Sequence, residues 1–184
     1  MSLSHGLLGL LAEGPASGYD LARRFTEVLG VVWPAKHPTI YTELGRLVDR
    51  GFIEVDSEGA RGRKAYRITE AGRNEVRRWL TQEPTDHTLR SESLFRAVFL
   101  WLLTPEEAAD HLRREAAYFE QMADTYRSFA AAKDRGEFGS APPVQSLRVV
   151  IEAGLRLNET LAKWASWAAT VPPVGQAHDE AESE

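Results

Sequence analysis

The chain of 184 residues contains no cysteine, which excludes a disulfide framework, a thiolate metal site and a cysteine nucleophile. Long apolar runs are also missing. The longest, Ala97 to Leu103, falls well short of the ~20 residues a membrane span requires and reads instead as part of a helix buried on most sides. The opening Met1-Ser2-Leu3-Ser4-His5 has no basic segment, and no small-residue cleavage site follows, so the expected location is the cytoplasm with no membrane partner. No Gly-x-Ser-x-Gly, P-loop or dinucleotide fingerprint occurs. The histidines His5, His37, His87, His111 and His178 are scattered, and only His111 with Glu115 has a spacing two metal ligands would share, a common pairing by chance. No catalytic residue, metal or cofactor is expected.

What is present has the balance of an ordinary folded protein: 43% apolar and 27% charged residues exclude disordered and fibrous chains. The length suits one domain, or a small domain joined to a second, largely helical one. A net charge of −5 argues against a protein that coats nucleic acid. The sum conceals an asymmetry, however. Residues 1–80 hold 12 basic and 10 acidic side chains, whereas residues 81–184 hold 10 and 17, so a polyanion would be met by the first half.

The apolar periodicity organises that half. Leu3, Leu7, Leu8, Leu10 and Leu11 form a short amphipathic helix stopped by Gly14-Pro15. Ser17 caps a second helix, with Asp20 in its first turn and Leu21, Ala22, Phe25, Val28 and Leu29 following; Gly30 ends it. Pro38 opens a third, with Ile40, Leu44, Leu47 and Val48 on one face and Gly51 as its stop. The period then changes to that of strands, over residues 52–55 and 64–68, around a polar turn that makes them a β-hairpin. Thr69 caps a fourth helix that runs through Val76, Trp79 and Leu80 to Pro84. Three helices, a hairpin and a helix within about eighty residues make a winged helix-turn-helix.

Such a domain reads DNA by laying one helix in the major groove, and the third helix is the candidate. Thr39, Thr42 and Arg46 recur at i, i+3 and i+7 on its solvent side with Glu43 beside them, either as readers or as the wet side of an amphipathic helix. Arg46 suits bidentate binding of guanine. Arg61, Arg63 and Lys64 crowd three cations onto the hairpin tip, where an anion such as a phosphate backbone would relieve their repulsion. The alternative is a solvated turn held by Glu54, Asp56 or Glu58. Lys36 ahead of the third helix, and Ser17 at the start of the second, add groups suited to phosphate.

Leu8-Gly9-Leu10-Leu11, Ser17-Gly18-Tyr19-Asp20-Leu21, Ile40-Tyr41, Gly51-Phe52-Ile53-Glu54, Arg63-Lys64-Ala65-Tyr66, Ala71-Gly72-Arg73 and Trp79-Leu80 together resemble the PadR family of bacterial transcriptional regulators. The likeness is dense over residues 3–80. It is looser over 88–170, where the Thr104-Pro105-Glu106-Glu107 helix start resembles the longer subtype related to virulence activators. The resemblance implies a ligand-responsive regulator, most often a repressor, that binds palindromic double-stranded operator DNA as a homodimer. It places Thr39, Tyr41, Thr42 and Arg46 on the recognition helix and Arg61, Arg63 and Lys64 on the wing, with Ser17, Tyr19 and Lys36 as further DNA contacts. Relatives often carry Gln where Thr39 stands and Pro where Thr42 stands, so their operators do not transfer. The competing reading is a winged module that binds protein and not DNA.

The expected architecture is mainly α with a small hairpin: a DNA-binding domain over 1–83, a helical dimerisation and effector domain over 84–171, and an acidic tail over 172–184. In the second domain Leu112, Ala116, Phe119, Ala123, Tyr126 and Ala130 follow the 3.5-residue period of a helix seam, and Leu147, Ile151, Leu155, Leu161, Trp164 and Ala168 form a last helix. These seams serve a dimer, the monomer interior, or both. Phe95, Phe99, Trp101, Tyr118, Met122 and Trp164 are candidates to line a pocket for a small aromatic effector, although aromatics at helical spacing more often form core.

Overall fold

Leu7, Leu8, Leu10 and Leu11 give the first helix, α1 (Ser2–Leu11), an apolar stripe, and all four are buried. The computed structural model describes residues 2–30, 32–59 and 63–171, without the side chains of residues 2, 58, 59 and 63. The expected acidic tail over 172–184 and the wing residue Arg61 lie outside the described residues. The chain clusters into two compact units, one ending at His87 and the other starting at Thr88.

In the first unit, α2 (Gly18–Arg24) passes into a π-turn over Phe25–Leu29, and α3 (His37–Asp49) follows with Pro38 in its first turn. Helix α3 buries Ile40, Leu44 and Leu47, while Val48, expected on the same face, lies at the edge of the stripe and is exposed. The strands β2 (Ile53–Gly59) and β3 (Arg63–Ile68) pair antiparallel, Ile53 opposite Ile68, with a bulge between Val55 and Ser57. A third strand, β1 (Ala16–Ser17), was not anticipated: it pairs Ala16 with Tyr66, giving the order β1-β3-β2. Two residues carry no periodic signature; the strand exists because the open edge of β3 offers its peptide groups.

Helix α4 (Glu70–Gln82) starts on Thr69, whose hydroxyl accepts from Gly72 N at 3.1 Å and donates to Gly51 O at 2.7 Å. It is tied back to α1 and α3 through Glu75. That carboxylate accepts from Arg78 Nε at 2.8 Å and Nη2 at 2.9 Å, lies 3.3 Å from His5 Nε2, and is approached by Arg50 at 4.0 Å. His5 in turn stacks on Trp79 with ring centroids 4.5 Å apart. Hydrogen bonds from Arg78, reinforced by His5, hold the Glu75 carboxyl well below the usual range, at about 2. A depressed carboxyl stabilises the fold above its unfolded value near 4.5, and that contribution is lost as pH falls through about 2. Glu75→Gln is therefore expected to lower stability at neutral pH by about 1–2 kcal/mol, discounted because Arg78 is nearly half exposed, with the gap closing as pH drops below 4. Urea denaturation of both proteins across that range measures it.

In the second unit the run 94–103 departs from expectation. It forms a six-residue helix, α5 (Glu92–Ala97), then a single 3-10 turn over Leu100–Leu102, and most of its large side chains face solvent. Helices α6 (Pro105–Asp134) and α7 (Pro142–Ala168) form a long hairpin. The capping box at Thr104 and Glu107 forms as the sequence predicts. Arg127 binds Glu159 at 2.8 Å and Arg148 binds Asp134 at 2.9 Å, pairings that run in opposite directions along the two helices. Leu112, Ala116, Phe119, Ala123 and Ala130 are buried along α6, so the seam serves the interior of the chain. The helices approach closely at Gly154, where a Cβ would lie 2.5 Å from the Tyr126 ring.

Candidate nucleic-acid interface

Burial of Ile40, Leu44 and Leu47 fixes which side of α3 is turned outward. Lys36, Thr39, Tyr41, Thr42 and Arg46 are all exposed, Arg46 over 68% of its side chain. The Thr42 hydroxyl donates to Pro38 O at 3.0 Å, which leaves its oxygen available as an acceptor. Tyr41 leans over the start of α2. A Cβ added at Gly18 would stand 2.9 Å from its ring, so Gly18 is the residue that lets the two helices share one surface. Tyr19, exposed at 61%, extends the surface from α2.

Two expectations need correction. Ser17 is buried, and its hydroxyl accepts from Asp20 N at 3.2 Å and donates to the Asp20 carboxylate at 2.6 Å. That hydroxyl forms the cap the sequence predicts, so the side chain adds nothing to a phosphate beyond the N–H groups of the helix start. Glu43 does lie beside Arg46, but not on the wet face: its side chain is 12% exposed and bonded to α1 through Ser4. Two further groups escaped the sequence reading. Val32 and Trp33 are exposed in the turn before α3, a position that apolar periodicity does not mark.

On the wing, Lys64 is exposed and Arg63 begins β3. Of the acidic groups proposed to hold the cationic tip, two turn to another residue: Glu54 Oε1 accepts from Arg67 Nε at 2.7 Å, and Asp56 lies 3.7 Å from the same nitrogen, while the side chain of Glu58 lies outside the described residues. The bulge at Asp56 adds local twist to the hairpin between this pair and the tip.

The aromatic set of the second unit is divided. Trp101 and Trp164 line one cavity of about 390 Å³, together with Trp167, Val98, Ala108 and Leu112. Phe95, Phe99, Tyr118 and Met122 do not line it. Phe95 and Phe99 instead form an exposed edge-to-face pair at 5.3 Å, and Tyr118 lies exposed against Phe119. No lining residue is ionisable. Trp167 escaped the sequence reading, although it sits one turn beyond Trp164. Among the described residues no cluster of His, Asp and Glu is placed to hold a metal ion, and no helix is long and apolar enough to cross a membrane.

Three helices, a three-stranded sheet with a projecting hairpin and an outward polar helix face define a winged helix-turn-helix transcriptional regulator. Residues 7–78 match the transcriptional regulator PadR-like family, and residues 89–171 match the virulence activator alpha C-terminal family. The negative transcriptional regulator PadR of Bacillus subtilis is 32% identical over 170 residues, covering 88% of this chain and 92% of that protein. Its crystal structure with operator DNA is similar over 93% of this chain and 98% of that one, with a TM-score of 0.79 and 28% identity. Its structure with p-coumaric acid is similar over 92% and 97%, with a TM-score of 0.77 and 29% identity. The chain belongs to the PadR-like family of transcriptional regulators.

Proposed function

We propose that this regulator binds double-stranded operator DNA as a homodimer in the cytoplasm, acts as a repressor, and releases its operator when a small aromatic effector binds. The observation that carries the reading is the exposed face of α3, where Thr39, Thr42 and Arg46 stand opposite a fully buried apolar stripe with Tyr41 beside them. A helix so anchored presents its side chains at a fixed angle, as groove reading requires. The Bacillus protein solved with operator DNA supports the same partner class here. Thr39, Tyr41, Thr42 and Arg46 act at the groove, with Lys36, Tyr19, Arg61, Arg63 and Lys64 on the flanking backbone. No catalytic step belongs to this reading.

The cavity holding Trp101, Trp164 and Trp167 is the effector site, its ring-lined walls suited to stacking on a planar molecule. The structure of the Bacillus protein with p-coumaric acid supports an aromatic ligand class. The dimer face is the exposed apolar segment from Leu89 to Leu103.

Mobility shifts on a fragment from the gene's own upstream region, repeated at rising salt, test the reading. Affinity is expected to fall steeply, because each neutralised phosphate releases counterions. Arg61→Ala with Arg63→Ala is expected to weaken binding to every sequence and to flatten the log–log salt slope by about 2. An affinity indifferent to salt contradicts DNA binding; an unchanged slope contradicts the wing assignment alone.

A further inference from the structure

We infer that Ser4 and Glu43 are positioning residues for Arg46, forming a buttress that runs from α1 through α3 and sets the direction of the arginine on the recognition face. The inference rests on the DNA-binding reading and deepens it, since Ser4 lies on an element that offers nothing to the groove.

Glu43 occupies the border of α3, between the buried stripe of Ile40, Leu44 and Leu47 and the outward face. Its Oε1 accepts from the hydroxyl of Ser4, a side chain almost fully buried on α1. Its Oε2 accepts from Arg46 Nη1 at 3.2 Å. One carboxylate thus spans two elements, holding a buried hydroxyl with one oxygen and the single arginine of α3 with the other. Arg50, the next arginine on this flank, does not compete. It lies 4.4 Å over the Phe52 ring and 4.0 Å from Glu75.

An unsupported arginine is long and rotamer-rich, and fixing it against a base edge costs conformational entropy. A carboxylate engaging one terminal nitrogen restrains the guanidinium before DNA arrives. Among the described residues Arg46 makes no other hydrogen bond, so its Nε and Nη2 edge keeps the fork geometry that guanine O6 and N7 accept. Ser4 performs the second task. A glutamate free to swing outward would carry negative charge toward the phosphates; bonded to α1, it stays at 12% exposure.

The probe is a duplex enriched by the wild-type protein from a random-sequence pool, compared with a scrambled duplex of the same composition. The readout is the ratio of affinities for the two, with thermal melting as a check on folding. Arg46→Ala is expected to lower the ratio at least about tenfold. Ser4→Ala and Glu43→Ala are each expected to lower it about fivefold with little change on the scrambled duplex, and Glu43→Gln, whose single amide oxygen keeps one of the two acceptor positions, to lose less. In an Arg46→Ala background Glu43→Ala is expected to have no further effect on the ratio. Equal losses in both backgrounds, or equal losses on both duplexes, overturn the buttress while leaving the recognition helix intact. An unchanged ratio for Arg46→Ala, or a pool that yields no enriched duplex, overturns the reading of α3 itself and the buttress with it.

Discussion

Gly72→Ala is expected to destabilise the winged domain by about 3 kcal/mol and to lower its melting temperature accordingly, a substantial fraction of what a domain of this size holds in reserve. Gly72 is buried in the first turn of α4. A Cβ there would stand 2.2 Å from Phe52 O and 2.8 Å from Ile68 Cγ1. The first contact is backbone, and backbone at this point cannot give way. Phe52 O accepts from Thr69 N at 3.0 Å, and the Thr69 hydroxyl reaches Gly51 O at 2.7 Å while capping Gly72 N at 3.1 Å. Moving Phe52 therefore disturbs the end of α3, the start of β2 and the cap of α4 together. Phe52 N also donates to Leu47 O at 3.0 Å, so the strain reaches the buried side of the recognition helix. Gly9→Ala provides the control: nothing lies within 4 Å of a Cβ at that helical position, and a small gain in stability is expected. Differential scanning calorimetry of both variants decides it. A Gly72→Ala domain that melts with the wild type would show that the α3–β2–α4 corner is looser than its hydrogen bonds imply.

That corner also shows why much of the first unit is legible in sequence. Thr69, Ser17 and the Thr104-Pro105-Glu106-Glu107 run name helix starts through local chemistry, and each forms the cap its spacing announces. Leu7, Leu8, Ile40, Leu44 and Leu47 announce their faces because one helix side must be apolar. What stays hidden depends on partners distant in sequence. The strand at Ala16 exists only through β3. Glu43 reads as one more polar residue of α3, since nothing near it in sequence tells that Ser4 waits on α1. The candidate site divides the same way. The exposure of Thr39, Thr42 and Arg46 follows from helical period alone, whereas the burial of Ser17, and the meeting of Trp101 with Trp164 at one cavity, require the folded chain.

The run from Leu94 to Leu103 is expected from its sequence to be buried, and the finding that most of it is not, together with exposed Leu89, leads to the second large effect. Leu94 and Leu100 are half-buried, but the other large side chains are exposed, from 40% at Leu103 to 73% at Leu89, with Phe95, Val98, Trp101 and Leu102 all above 60%. Apolar side chains concentrated this densely on a surface mark a face that another molecule covers. A second copy of the chain is the partner the proposed function requires, because a winged domain reads a short half-site and gains affinity by setting two readers about 34 Å apart. Phe95→Glu combined with Leu102→Glu places two carboxylates on this face without entering the cavity at Trp164. Burying either charge unpaired costs more than the lost apolar contact returns, so the variant is expected to sediment as a monomer. Its affinity for a dyad-symmetric duplex is expected to fall about 10³-fold, the advantage that linking two half-site readers confers. Binding to a single half-site is expected to stay near the value of the isolated domain, because neither residue belongs to α3 or the wing. Sedimentation velocity with titrations on full and half duplexes separates these outcomes. A variant that remains dimeric removes this segment from the interface, whereas a monomer that keeps full affinity for the dyad removes dimerisation from the mechanism.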